Sequence, residues 1–195
     1  MTPGASSDWS QYQYVPYYVD SPRDGVVSDP QTDIQKVYIC NDNDNIYIRI
    51  NNVAGTLPGF GSDNFEMTVY TDFNAGNVST TTNSRYGTNL GRNLTYMFTR
   101  RNSDTGYSKY AVNNGNWVFN KNITSVIEPQ WDTSTGGIEI VIPRSEIGSP
   151  ANGAWGHFVI SLGRYSNGTW SDQDFLKLNY RLTGSIDSWL YGNFE

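Results

Sequence analysis

Residues 162–172 (LGRYSNGTWSD) place Tyr165 and Trp170 among turn-forming and hydrogen-bonding residues. Burying such rings would pull Ser166 and Asn167 out of water, at about 1–3 kcal/mol for each polar group left unpaired. We therefore predict that this segment is a loop displaying Tyr165 or Trp170 for a flat ligand to stack on, with Arg164 donating hydrogen bonds beside the rings. The alternatives are that the rings anchor the loop in a core and that Arg164 pairs with a carboxylate.

Trp117 is a further ring of the same kind, in the stretch GNWVFN (115–120). Trp117 and Phe119 share one face of a strand and Val118 takes the other, so only one of these sides points fully inward. Trp117 therefore either covers the core or accompanies Tyr165 and Trp170 in one binding site. Trp155, beside an alternating strand at 157–162, is expected in the core or at its rim.

Asp72 and Asn74 present oxygen side chains at alternate positions before Gly76, a spacing familiar in calcium loops. We predict one structural calcium ion that uses Asp72 and Asn74 together with backbone carbonyls. The alternative is a polar turn that follows a strand. Residues 41–45 (NDNDN) compete as a calcium loop, but their pattern is more typical of a hairpin turn.

Catalytic groups are scarce in this sequence. Cys40 is the one cysteine and His157 the one histidine, which excludes a zinc cluster and a histidine-based triad. Glu66 and Glu139 fall on the non-core faces of predicted strands and would have to converge to act as the two carboxylates of a glycoside hydrolase. Neither belongs to a tight acidic cluster, so we expect no enzyme.

The charge and hydropathy of the chain exclude two classes of partner. The net charge is -6 and the basic residues are scattered, which disfavours nucleic acid. No apolar run approaches the roughly 20 residues that a membrane helix needs.

The 14 Tyr and 6 Trp outnumber the 8 Phe, so most rings carry a hydrogen-bonding tip that suits a surface as well as a core.

Period-two alternation runs through most of the chain and predicts β-strands. The strands are expected at 35–40, 46–50, 65–69, 94–100, 107–112, 116–119, 138–142, 157–162 and 174–180, and one short helical turn at 143–148. Turn residues at 41–44 join the first two strands into a hairpin. The pattern indicates an all-β, two-sheet antiparallel sandwich of the jelly-roll or immunoglobulin-like kind, formed as one domain over 1–195.

The succession of these pieces resembles the family 9 carbohydrate-binding modules and the related C-terminal sugar-binding domains of bacterial glucodextranases. The matching pieces are IQKVYIC, NDNDN, IYIRI, NFEMTVYTDFNAG, GNWVF, GGIEIVIPRSEIG and LGRYSNGTW, which span about 26–170. The resemblance implies a two-sheet sandwich, a bound calcium ion and non-catalytic recognition of sugars by aromatic side chains. An Asn- and Thr-rich insertion at 76–92 departs from the family pattern.

We therefore expect a carbohydrate-binding domain whose Trp117, Arg164, Tyr165 and Trp170 bind a polysaccharide or oligosaccharide. Residues 1–7 lack the features of a signal peptide, and we interpret the chain as a piece of a larger secreted or cell-surface protein. The domain would be a monomer tethered to a catalytic domain, with no nucleic-acid partner and no membrane insertion. The alternative from another class is a structural or cell-surface interaction domain without a sugar site.

Overall fold

The computed structural model describes residues 17–19, 29–56, 65–73, 90–101, 104, 106–123, 131–132 and 137–183. Only the backbone is described at 17, 19, 131, 132, 166 and 170–173. The described residues form eleven strands: β1 (Tyr17–Val19), β2 (Ile34–Asn41), β3 (Asn45–Asn52), β4 (Phe65–Asp72), β5 (Tyr96–Arg101), β6 (Tyr107–Asn113), β7 (Asn116–Ile123), β8 (Trp131–Asp132), β9 (Gly137–Pro143), β10 (Trp155–Ser166) and β11 (Thr169–Arg181). No helix in these ranges is long and apolar enough to cross a membrane.

The strands form two antiparallel sheets, and the predicted all-β sandwich is confirmed. One sheet has the order β1-β2-β3-β9-β8, and the other has the order β11-β10-β4-β5-β6-β7. The inner faces pack together because alternate residues of each strand are apolar, as in β3 (Ile46, Ile48, Ile50), β4 (Phe65, Met67, Val69) and β9 (Ile138, Ile140, Ile142). These side chains are almost fully excluded from solvent.

A second apolar cluster lies on the outer face of the six-stranded sheet. It contains Tyr70, Met97 and Val159, whose positions alternate with those of inward-facing residues, together with Leu90 and Leu94. We call this group the outer cluster. It gives the six-stranded sheet apolar contacts on both faces, so aromatic residues near its rim can be partly buried without entering the main core.

The predicted turn at 143–148 is a 3₁₀ turn, Arg144–Ile147, which ends at Gly148 with φ of 84°.

Asp42 makes the β2–β3 turn that the sequence indicates. Its Oδ1 accepts backbone N–H groups of Asp44 and Asn45 at 2.8 and 2.7 Å, and its Oδ2 accepts the Tyr47 hydroxyl at 2.7 Å. Both carboxylate oxygens are occupied by the hairpin itself.

The prediction of a loop at 162–172 is wrong. β10 and β11 continue through this segment and pair as far as Ser166 and Thr169, with one irregularity at Leu162/Gly163. Asn167 and Gly168 alone form the turn, with φ of 52° and 82°. Left-handed residues at both central positions match the twist of the flanking strands, so the hairpin extends regularly into polar sequence. We call the part at 163–172 the hairpin arm.

Candidate functional site

Tyr165 lies on the hairpin arm with 45% of its surface exposed. Its backbone is paired with that of Trp170 across the arm. The ring of Tyr165 is thus displayed, as predicted. The side chain of Trp170 lies outside the described atoms, and its stacking role stays a prediction.

Arg164 pairs with a carboxylate, which is the second of the two interpretations given for it. Its Nη2 atom lies 2.6 Å from Asp29 Oδ2 and donates a hydrogen bond to Gln31 Oε1 at 2.9 Å. The guanidinium carbon also lies 5.7 Å from the centre of the Phe65 ring. These contacts tie the start of the hairpin arm, one residue before Tyr165, to the segment before β2.

Trp117 is half-buried against the outer cluster. Its ring centre lies 5.7 Å from that of Tyr70, with the ring planes tilted by 55°. Trp117 therefore covers apolar surface, as one interpretation holds, while part of it stays accessible on β7, the edge strand of the sheet.

The structure does not bring Trp117 and Tyr165 together. Strands β4, β5 and β6 separate β10 from β7, and four interstrand steps of about 4.8 Å put the two strands about 19 Å apart. The single site predicted from the sequence divides into two surfaces because sheet order, and not chain order, sets the distance.

Tyr110, Trp117 and Phe119 form an aromatic surface on the β6–β7 hairpin, which we call the hairpin aromatic surface. Phe119 is 52% exposed. It is paired with Tyr110 across the hairpin, and the two rings meet edge to face at a centroid distance of 5.7 Å and an angle of 76°. Trp117 lies two residues before Phe119, on the same strand face. The alternation in GNWVFN predicted that Phe119 shares a strand face with Trp117. No local sequence pattern indicated that Tyr110 lies beside them.

Polar side chains lie on the same hairpin, where Asn122 shares the face of Tyr110 whereas Asn113 and Asn116, paired with each other, share the face of Val118. Exposed asparagines occupy both strands and the tip of the hairpin: Asn113, Asn114, Asn116, Asn120 and Asn122. The tip is tight because Asn114 and Gly115 both have left-handed φ, 49° and 77°. Exposed rings with amide groups on the same hairpin are the composition that can bind an amphipathic ligand with an apolar face and polar edges.

Glu66 and Glu139 do not converge. Glu66 lies on the outer face of the six-stranded sheet, where Arg101 Nε donates to its Oε2 at 3.1 Å. Glu139 lies on the outer face of the five-stranded sheet, where Arg49 Nη1 donates to its Oε1 at 2.6 Å. The two carboxylates face away from each other across the sandwich, and both are buried in ion pairs.

Cys40 does not offer an alternative nucleophile. Its side chain is buried, and burial raises the pKa of its thiol to about 12. At neutral pH the sulfur is protonated, and a thiol is a weak nucleophile compared with a thiolate.

Asp72 lies on the outer face of β4 and is 6% exposed. Its Oδ1 accepts the hydroxyl of Thr95 at 2.6 Å. Asn74, its predicted companion in a calcium site, lies outside the described residues. In the described part of the chain, no three Asp, Glu, His or Cys side chains gather as ligands for a metal. The calcium site at Asp72 and Asn74 stays a prediction.

Trp155 differs from its expected place at the core or its rim. It begins β10 with 39% of its surface exposed. Its cross-strand neighbour is Arg181 on the edge strand β11. Pairing of β10 with β4 starts only at His157, opposite Asp72, so Trp155 has a paired strand on one side alone.

Comparison with protein-family models, with characterised proteins and with solved structures gives no match for this chain. The resemblance to the family 9 modules accordingly stays a prediction, and a function has to be argued from the surfaces described above.

Proposed function

We propose that this protein is a non-catalytic carbohydrate-binding domain that targets an attached enzyme to a polysaccharide or oligosaccharide. The observation that carries the proposal is Phe119, a ring with 52% of its surface exposed, held edge to face against Tyr110 beside the half-buried Trp117. An isolated exposed ring needs no explanation, but a contiguous aromatic group on one face of two neighbouring strands favours a binding surface.

The chemistry of a sugar suits this surface. One face of a pyranose ring presents C–H groups, which stack on an aromatic ring, and its edge presents hydroxyl groups, which exchange hydrogen bonds with amides. Phe119 has no polar tip, so it supplies stacking only. Asn122, which shares the face of Tyr110, and Asn114 at the tip of the hairpin supply donors and acceptors for the hydroxyl groups.

The absence of catalysis is part of the proposal. Glycoside hydrolysis needs two carboxylates roughly 5–10 Å apart across one cleft. Glu66 and Glu139 lie on opposite outer faces, each in an ion pair with an arginine. Their placement supports a structural role for both.

Titration with soluble α-linked and β-linked gluco-oligosaccharides tests the proposal, with binding followed by calorimetry and by tryptophan fluorescence. Phe119→Ala should weaken binding by about 1–3 kcal/mol, the range for truncated interface aromatics. Its free energy of unfolding should stay within about 0.5 kcal/mol of the parent, because the ring is mostly exposed.

Val118→Ala is the matched control. Val118 is 46% exposed on the same strand but occupies the opposite face. We expect this variant to bind as the parent does. Equal losses in both variants, or no binding to any oligosaccharide, would reject the proposal, and release of reducing ends would favour a hydrolase.

A further inference from the structure

The outer face of β10 and β11, at the edge of the six-stranded sheet, carries a row of cationic and polar groups. Lys177, Asn179 and Arg181 alternate along β11 and therefore share one face. Their partners on β10 are Val159, His157 and Trp155, in the same order. Residues directly opposite in an antiparallel pair share a face, so Trp155 stands beside Arg181. We call this set the Trp155 face.

The two cations of β11 are available to a ligand. Lys177 and Arg181 are both exposed. Within the described part of the chain neither one pairs with a carboxylate, and the contact of Arg181 is a hydrogen bond from Nε to the carbonyl of Gly153 at 3.1 Å. The terminal nitrogens of Arg181 are left to donate in the planar, forked geometry that matches a carboxylate.

Arg92 and His157 hold the centre of this face in one orientation. Arg92 Nη1 donates to Asn179 Oδ1 at 2.7 Å and to the carbonyl of Leu178 at 3.3 Å. A guanidinium has no acceptor, so the amide atom that faces it is oxygen. His157 Nδ1 lies 2.7 Å from the same oxygen and 3.5 Å from Arg92 Nη1, and the shorter contact favours an Nδ1–H that donates to Asn179. In the neutral imidazole with this tautomer, Nε2 is the acceptor nitrogen.

The charge of this face is opposite to that of the whole chain. Among the described residues, Arg92, Lys177 and Arg181 bring three positive charges to it, and Asp72, paired with His157 on β4, brings one negative charge. Asp72 is 6% exposed and accepts the Thr95 hydroxyl, so it presents little charge to solvent. The chain as a whole carries a net charge of -6. A local excess of cations beside an exposed indole selects a small anion attached to a ring with an apolar face.

We propose that the Trp155 face binds a carboxylate-bearing sugar, a uronic acid unit of a glycan. The sugar ring stacks on Trp155, its carboxylate accepts hydrogen bonds from Arg181 and Lys177, and a hydroxyl donates to His157 Nε2. The choice of a sugar rests on the proposed function, whereas the choice of an acidic sugar rests on the charges of this face. The site is separate from the hairpin aromatic surface, which lies on the opposite edge of the same sheet.

The experiment compares oligouronates with their methyl esters, which keep the sugar ring and remove the charge. The panel contains oligomers of galacturonate, of mannuronate and guluronate, and of glucuronate. At low salt at least one acid should bind about tenfold more tightly than its ester, and the difference should shrink above about 0.1 M salt because exposed charges are screened.

Variants assign that binding to a surface. Trp155→Ala and the double variant Lys177→Gln with Arg181→Gln should each weaken binding of the acid at least tenfold, without changing the affinity for neutral oligosaccharides. Lys121→Gln, which removes one positive charge from the opposite edge strand, is the control and should bind as the parent does. Melting temperatures are measured for all variants. If that of Trp155→Ala is far below the parent value, Trp155→Gln takes its place.

The outcomes separate the two proposals. If no acid binds better than its ester, or if Phe119→Ala removes acid binding while Trp155→Ala retains it, the uronate site is rejected. Neutral binding that depends on Phe119 then still supports the proposed function. If acids bind through Trp155 and neutral sugars do not bind at all, the hairpin aromatic surface is rejected and the Trp155 face remains.

Discussion

The ring of Trp117 rests against Tyr70, which is completely buried, at a centroid distance of 5.7 Å. Trp117 therefore joins the outer cluster to the exposed edge of the sheet, and under the proposed function we expect it both to stabilise the fold and to bind sugar. Trp117→Ala should lower the free energy of unfolding by about 1–3 kcal/mol, less than the roughly 3–5 kcal/mol of a fully buried Trp. It should also weaken sugar binding.

Urea unfolding and calorimetric titration of the same variant check both effects. Phe119→Ala is the comparison, because it should affect binding alone. A Trp117→Ala protein with unchanged stability would mean that the contact with Tyr70 contributes nothing measurable.

Glu139→Gln should lower the free energy of unfolding by about 3–5 kcal/mol, because it leaves the buried guanidinium of Arg49 without its partner charge. The side chains of Arg49 and Glu139 are only 8% and 5% exposed. The double variant Arg49→Met with Glu139→Leu should be more stable than Glu139→Gln, since it removes both charges. Urea denaturation of the parent, Glu139→Gln and the double variant measures these differences. A Glu139→Gln protein as stable as the parent would contradict the prediction and reopen the idea that Glu139 serves a reaction.

Protonation of Glu146 should lower the free energy of unfolding in acid. Burial by itself would raise the pKa of this carboxyl, but hydrogen bonds from Lys121 and Lys109 at 2.8 and 3.1 Å outweigh that effect, and the pKa is lowered from its ordinary value of 4.5. A lowered folded-state pKa means that the contribution of Glu146 is complete above the unfolded-state pKa and is lost as the pH falls below it.

Urea unfolding between pH 3 and 7 should therefore show a decline below about pH 4.5 that is shallower in Glu146→Gln. The variant should already be less stable than the parent at pH 7. Parallel pH profiles for the two proteins would show that the contacts with Lys109 and Lys121 are not coupled to folding.

Chelation of calcium should lower the melting temperature if Asp72 and Asn74 contribute to a structural calcium site, because an ion that binds only the folded state stabilises it by mass action. Added calcium should restore the parent but not Asp72→Asn. Affinity for neutral sugar should change little, since the hairpin aromatic surface uses other residues. A melting temperature unchanged by chelation would remove the calcium proposal.

Local patterns in the sequence predicted much of this fold. Alternation over a few residues specified β3, β4 and β9 because each needs one apolar face, and the residues around Pro143 and Gly148 specified the 3₁₀ turn. The hairpin arm was misread because polar residues are equally compatible with a loop and with a strand whose faces are both exposed. The left-handed conformations of Asn167 and Gly168 extended the strands there.

The sequence by itself determined the all-β class and most strands, since these depend on neighbours within a few residues. Only the tertiary structure decided that Trp117 belongs with Tyr110 and Phe119, that Glu66 and Glu139 lie on opposite faces, and that Trp155 is exposed beside Arg181. Strand order determines each of these relationships. It arises from pairing between residues far apart in the chain, such as β4 with β10, which no local pattern encodes.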